Sequence, residues 1–187
     1  MIRFSKIIIS NFFFLVIAWS CRFYSLSGSL PPHIRTISIP MVENETAEFG
    51  IAENISDGIQ SRFNDEGILK IINDNADSVL RGTVKKVTDG PYTFNKNESV
   101  SEYRYKIDIN IEWYDNKNEK TLLKGSYSGW GAYGLSGDIG TDGIDNDNDG
   151  KIDSEDDNEF GEPRLFAAKV AVQKIAEDII NDIMTTW

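Results

Sequence analysis

From Tyr103 to Trp113 the chain alternates without a break. Tyr103, Tyr105, Ile107, Ile109, Ile111 and Trp113 are apolar or aromatic, and between them stand Arg104, Lys106, Asp108, Asn110 and Glu112. Successive side chains of a strand point to opposite faces, so this pattern demands a long strand with one buried face and one wet face. One-sided wetting is the habit of antiparallel sheets. A sheet of this kind must bury its apolar face under a second layer.

The candidates for that layer are two amphipathic stretches. Ile51, Ile55, Ile59 and Phe63 recur every four residues, which predicts a helix ending near Gly67, although Gly58 inside it counts against helix formation. Pro163 can open a last helix whose apolar stripe is Leu165, Ala168, Val172, Ile175, Ile179 and Ile183. "HIRTISIP", His33 to Pro40, reads as a half-buried strand, "ILKII" as a short one, and Ser78 to Val87 as a better one. "TDGPYTFNKNES" reads as a loop and "DNKNEK" as a turn. "TLLKGSYSGWGAY" is the returning strand, with Gly125, Gly129 and Gly131 marking bulges or close packing. The expected fold is α+β: a two-layer sandwich, with a mostly antiparallel sheet of about four strands and both helices on one face.

The 187 residues suffice for one domain with a real core. The net charge of −11 is local. Of 30 acids, 11 lie between Asp138 and Glu162 with Lys151 as the only base there, which leaves 19 acids against 18 bases elsewhere. With no basic patch to neutralise phosphates, nucleic acid is not an expected partner. Cys21 is the sole cysteine and His33 the sole histidine. That excludes an internal disulfide, a cysteine-built metal site and the common catalytic triads. His33, beside Pro31 and Pro32, reads as a surface residue in a turn. No paired acid/base constellation stands out, so an enzyme is not expected.

Residues 1–20 read as an export signal. Arg3 and Lys6 precede an apolar run from Ile7 to Ile17, too short for a membrane span, and Ala18-Trp19-Ser20 then precedes Cys21. "IAWSC" resembles a lipobox, which implies cleavage before Cys21 and a covalent lipid on it. Arg22 in place of Asp favours the outer membrane by analogy with enterobacterial sorting.

In residues 138–162, Asp145, Asp147 and Asp149 stand at positions one, three and five of a loop. Gly150 follows at six, Lys151 at seven, Asp153 at nine and Asp156 at twelve. This is the spacing of an EF-hand-like calcium loop, in which Lys151 lends its backbone carbonyl. Asp156 is shorter than the usual Glu, and no amphipathic helices flank the loop, so dockerin-like repeats are the nearer likeness. The other reading is a solvated acidic loop with no ion. The spacing favours Ca²⁺, in an insertion between the last strand and the last helix.

Cys21, Tyr24, Ser25, Ser27, Gly28, Pro32, Ile39, Pro40 and Asn44 together resemble the N-terminal signature of the LptE family of lipopolysaccharide-assembly lipoproteins, in its Bacteroidetes-like version. "ADSVLRGTV", Ala76 to Val84, resembles its second landmark. The acidic insertion departs from it. The resemblance implies a non-enzymatic lipoprotein at the periplasmic face of the outer membrane. It would plug an LptD-like β-barrel and help deliver lipopolysaccharide to the surface. The polar strand face around Arg104, Lys106 and Asp108 then lies towards the barrel or the glycolipid, or is merely solvated. The rival reading is a calcium-dependent envelope adhesion or structural lipoprotein.

Overall fold

The structure is a computed structural model that describes residues 30–134, 139–141, 143–145, 149–152, 155 and 161–185. The element order is β1 (Thr36–Ser38), β2 (Glu43–Asn44), α1 (Ile51–Glu66), β3 (Lys70–Ile71), β4 (Ser78–Phe94), β5 (Val100–Asp115), β6 (Lys120–Tyr133), a 3₁₀ turn (Ile139–Thr141) and α2 (Pro163–Thr185). The three long strands form an antiparallel meander, β4-β5-β6. Beside it β1 lies between β3 and β4, parallel to both, and β2 pairs with β4 in parallel as well.

Among the described residues the fold is therefore α+β with two helices, as expected, but the sheet is mixed and has six strands rather than about four. β3 lies within "ILKII", which reads as a short strand, while β2 is too short to show a period. β2 and β3 are two residues each, and their hydrogen bonds follow from register with β4 and β1 rather than from their own sequence. The expected loop from Thr88 to Ser99 is also corrected. Strand β4 runs on to Phe94, and only the segment between it and β5 turns. Asn95 closes that turn by accepting from the amides of Asn97 and Ser99 at 2.8 and 3.1 Å. Pro91 is tolerated because the described partners of β4 on its other side end at Val84, and a free edge spares proline's missing donor.

The inner sheet face carries Leu80 and Val84 of β4, and Tyr105, Ile107, Ile109, Ile111 and Trp113 of β5. These join Ile51, Ile55, Ile59 and Phe63 of α1 and the buried side of α2 in one core. Helix α2 crosses β6 and β5, and α1 packs beside α2 and against β2 and β3. Glycines set the spacing. A Cβ on Gly129 would stand 2.0 Å from the Ala171 carbonyl oxygen, and one on Gly131 2.5 Å from that of Ala167. Gly58 does the same between helices, where a Cβ would meet Val172 Cγ1 at 2.3 Å. The stripe of α2 differs at its start from the expected one: Leu165 is exposed and Phe166, Ala167 and Val170 are buried. Phe166 and Val170 form a second small core with Ile139 of the 3₁₀ turn, which draws that side of the first turns inward. Among the described residues no helix is long and apolar enough to cross a membrane.

Candidate functional site

The period of β5 places Arg104, Lys106 and Asp108 on the outer sheet face, away from both helices, in register with Ala132, Trp130 and Ser128 of β6. The three are brought together there, but each is held differently. Lys106 pairs with Asp108 at 2.8 Å, and Ser128 donates to Asp108 at 2.7 Å. Burial raises the Asp108 carboxyl, yet these two bonds outweigh it and hold the group below its ordinary value. Ser126 donates to Asn110 and Thr121 to Glu112 across the same strand pair. Cross-strand partners of this kind make the outer face a rigid polar surface.

Arg104 sits above this ladder against two aromatic rings. Its guanidinium is 4.5 Å from the centroid of Tyr92 and 5.8 Å from that of Trp130, and the rings are 5.7 Å apart. Lys174 of α2 approaches Trp130 to 5.0 Å at the edge strand. Tyr92 and Trp130 were not legible as partners of Arg104. Tyr92 lay in the expected loop, and Trp130 meets Arg104 only through the β5–β6 register.

A second polar cluster ties the layers together. Arg164, in the first turn of α2, donates to Asp89 of β4 at 2.7 Å and to Glu48 at 3.0 Å, and lies 4.9 Å over the ring of Tyr105. Tyr133 donates to the other oxygen of Asp89 at 2.6 Å. The bond to Asp89, with Glu48 beside it, outweighs the lowering by burial and raises the guanidinium above its ordinary value. Burial, then Glu48, raises the Tyr105 phenol, so it stays neutral. A cation at a helix N-terminus opposes the macrodipole, and two carboxylates offset that here. No period reveals this cluster, since its members come from five segments.

His33 is more than a surface residue. Its Nε2 lies 2.6 Å from Asp115 Oδ2, and Asp115 is 1 % exposed. Asp115 also accepts from the amides of Lys117 and Asn118. Burial raises this carboxyl, but the His33 and amide bonds prevail and bring it down to about 2.

Of the calcium-loop residues, Asp145, Asp149 and Lys151 are described, while Asp147, Asp153 and Asp156 lie outside the described residues, as does Cys21. Asp145 accepts from the amides of Asp149 at 3.1 Å and Gly150 at 3.0 Å, and Asp149 accepts from that of Lys151 at 2.9 Å. Gly150 has φ 96°, a left-handed conformation that favours glycine. Among the described residues no three acids, histidines or cysteines gather closely enough to hold a metal ion. The two ends of the segment meet, since the Ile139 amide donates to Gly161 at 3.3 Å. Closing a long loop at its neck leaves the two-layer body undisturbed.

Two solved structures share the fold. A hypothetical protein from Chlamydia trachomatis matches at TM-score 0.52 and 10 % identity, over 80 % of this chain and 95 % of its own. A Xanthomonas campestris protein matches at TM-score 0.52 and 9 % identity, over 83 % and 86 %. Rare lipoprotein B from Shewanella oneidensis is a weaker likeness, at TM-score 0.46 and 11 % identity over 80 % and 93 %. No curated protein matches the chain. The family model for lipopolysaccharide assembly, LptE, matches residues 34–187. That span takes in every described element from β1 to α2, the second landmark at Ala76 to Val84 and the acidic segment, and of the N-terminal signature only Ile39, Pro40 and Asn44. The chain belongs to the LptE lipopolysaccharide-assembly family.

Proposed function

We propose that the protein is an outer-membrane lipoprotein, acylated on Cys21 and exposed to the periplasm, that plugs an LptD-like β-barrel and assists it in delivering lipopolysaccharide to the cell surface. The family match carries this reading. The geometry supports it in one respect. The lumen of a plugged outer-membrane barrel is polar, and the outer sheet face offers a flat, hydrogen-bonded polar surface with cations at one end. Arg104, Lys106 and Asp108 are the proposed contacts with the barrel wall or the glycolipid, and Tyr92 and Trp130 hold Arg104 in place. The role is one of binding, not catalysis. Nothing in the described residues or the comparisons favours the adhesion reading. The test is charge reversal: Arg104→Glu with Lys106→Glu should leave a folded chain and lower surface lipopolysaccharide and mature barrel. Normal levels of both would remove this face from the proposal.

Calcium is the second part of the proposal. Asp145, Asp147, Asp149, Lys151, Asp153 and Asp156 would supply the oxygens, and the ion would order the acidic segment. The bonds that Asp145 accepts from Asp149 and Gly150, and the left-handed Gly150, support the loop half of this reading. Calorimetric titration should give a Kd of about 10⁻⁴ to 10⁻³ M, the range of extracellular modules. Asp145→Ala should abolish it. Heat of binding that survives Asp145→Ala would place the ion elsewhere.

A further inference from the structure

We infer that the open edge of β6 takes up an extended segment of the barrel partner as a further strand of the sheet. This inference rests on the reading under which the chain plugs a barrel. In the sheet order β3-β1-β4-β5-β6 the last strand is bonded to a described neighbour on one side only. The two faces of the sheet decide which of its backbone groups look outward. Residues whose side chains share one face of a strand all turn their amides and carbonyls to the same side, and residues of the other face turn theirs to the opposite side. On β4 the Glu45 amide donates to the carbonyl of Val84, an inner-face residue, so inner residues of β4 point away from β5 and outer ones towards it. Outer residues of β5 then face β4, and its inner residues Ile107, Ile109 and Ile111 face Gly129, Tyr127 and Gly125 of β6. The outer-face residues of β6, Lys124, Ser126, Ser128 and Trp130, therefore turn their backbone groups off the edge. Among the described residues no strand or loop takes them up.

The molecule protects its other described edges. β3 is two residues long, and the open upper part of β4 carries Pro91 and two register shifts. Short strands, proline and bulges are the ordinary means of keeping an edge from pairing. β6 uses none of them from Leu123 to Tyr133, where its register with β5 is unbroken and no proline interrupts it. The only charge among the outward-turned residues is Lys124. An edge left open while its counterparts are blunted is suited to strand addition. A second copy of this chain does not fit it. Helix α2 lies directly beneath β6, with the Ala171 carbonyl oxygen 2.0 Å from where a Cβ of Gly129 would stand. Strands paired edge to edge lie about 4.8 Å apart, whereas packed helices need about 8–10 Å, so two copies would drive their last helices together. The occupant is therefore a strand with no helix beneath it. Strands of a barrel wall are already bonded on both sides, which leaves a loop or terminal extension of the barrel that reaches into the lumen. The edge adjoins the proposed contact face: Ser128 donates to Asp108 at 2.7 Å, and the Trp130 ring lies 5.8 Å from the Arg104 guanidinium. Ser126 and Ser128 leave room beside the edge for hydroxyl or β-branched side chains of the segment.

The test is recovery of the barrel with the tagged, full-length protein from envelopes. Proline at an outward-turned position removes a donor that the β5–β6 ladder does not use. Ser126→Pro with Ser128→Pro should leave the melting curve close to that of the native chain and lower barrel recovery about tenfold. Ser126→Ala with Ser128→Ala removes the hydroxyls and keeps the amides, so recovery should stay near native. Equal loss in both double variants, or full recovery with a folded proline variant, overturns the inference while the plug reading stands. A native chain that brings down no barrel overturns both. If the proline variant does not fold, a photoreactive residue in place of Lys124 decides: a crosslink to the barrel supports the added strand, and a crosslink to a second copy, or none, overturns it.

Discussion

Asp115 is the residue whose environment most clearly exceeds what its type suggests. A carboxyl buried this deeply is stable only because His33, Lys117, Asn118 and the Asn118 side chain surround it with donors. Its folded value of about 2 lies below the unfolded value near 3.8. A depressed acid stabilises the fold above its unfolded value, and the contribution is lost as pH falls from about 4 through about 2. Chemical denaturation across that window should show stability falling towards acid in the native chain, with a shallower slope in Asp115→Asn. At neutral pH Asp115→Asn should cost about 1–3 kcal/mol, because an amide cannot accept all those bonds. An unchanged slope would show that Asp115 is not the group being protonated. His33 looked bland in the sequence because its partner is distant in the chain and joins it only through the β1–β4–β5 pairing.

At the scale of elements, glycine sets how closely the layers approach. Gly129→Ala should destabilise strongly, by about 1–3 kcal/mol or more, because the new methyl meets the Ala171 backbone, which cannot swing aside. Gly58→Ala meets a side chain instead, so Val172→Ala should recover much of its cost. A double-mutant cycle read by thermal melting checks this, and strict additivity would deny the contact. Much of this layer was legible beforehand. The alternation of β5 gave its two faces, the four-residue period gave α1, and Gly67 caps it at φ 60° with its amide bonded to Phe63. Three things were not legible. The two-residue β2 carries no period, Leu165 is displaced by a core that exists only once Ile139 folds back, and Thr88 to Phe94 looked like a loop because Gly90 and Pro91 punctuate it. In each case a partner distant in sequence decides the local outcome. The candidate site follows the same rule. Arg104, Lys106 and Asp108 were readable as one face, while Tyr92, Trp130 and the Arg164 cluster required register between strands.

The described molecule has distinct ends: the β4–β5 hairpin at one, and the starts of β1 and β4 with the β5–β6 turn at the other. Arg164 joins α2 to the sheet and to the turn before α1, so Arg164→Ala should loosen the hairpin end. Amide exchange should quicken around Glu48 and Asp89 and stay unchanged near Asp115; uniform quickening would mean global destabilisation instead. A rigid wedge matters to the proposed role because a plug must keep its polar face flat against its partner. The measurement that tests that role most directly is capture of the tagged, full-length protein from detergent-solubilised envelopes, with the bound partners identified by mass. The account predicts an LptD-like β-barrel in near-equal amount, lost when Arg104 and Lys106 are reversed. Recovery of the intact lipoprotein with no such barrel would contradict it.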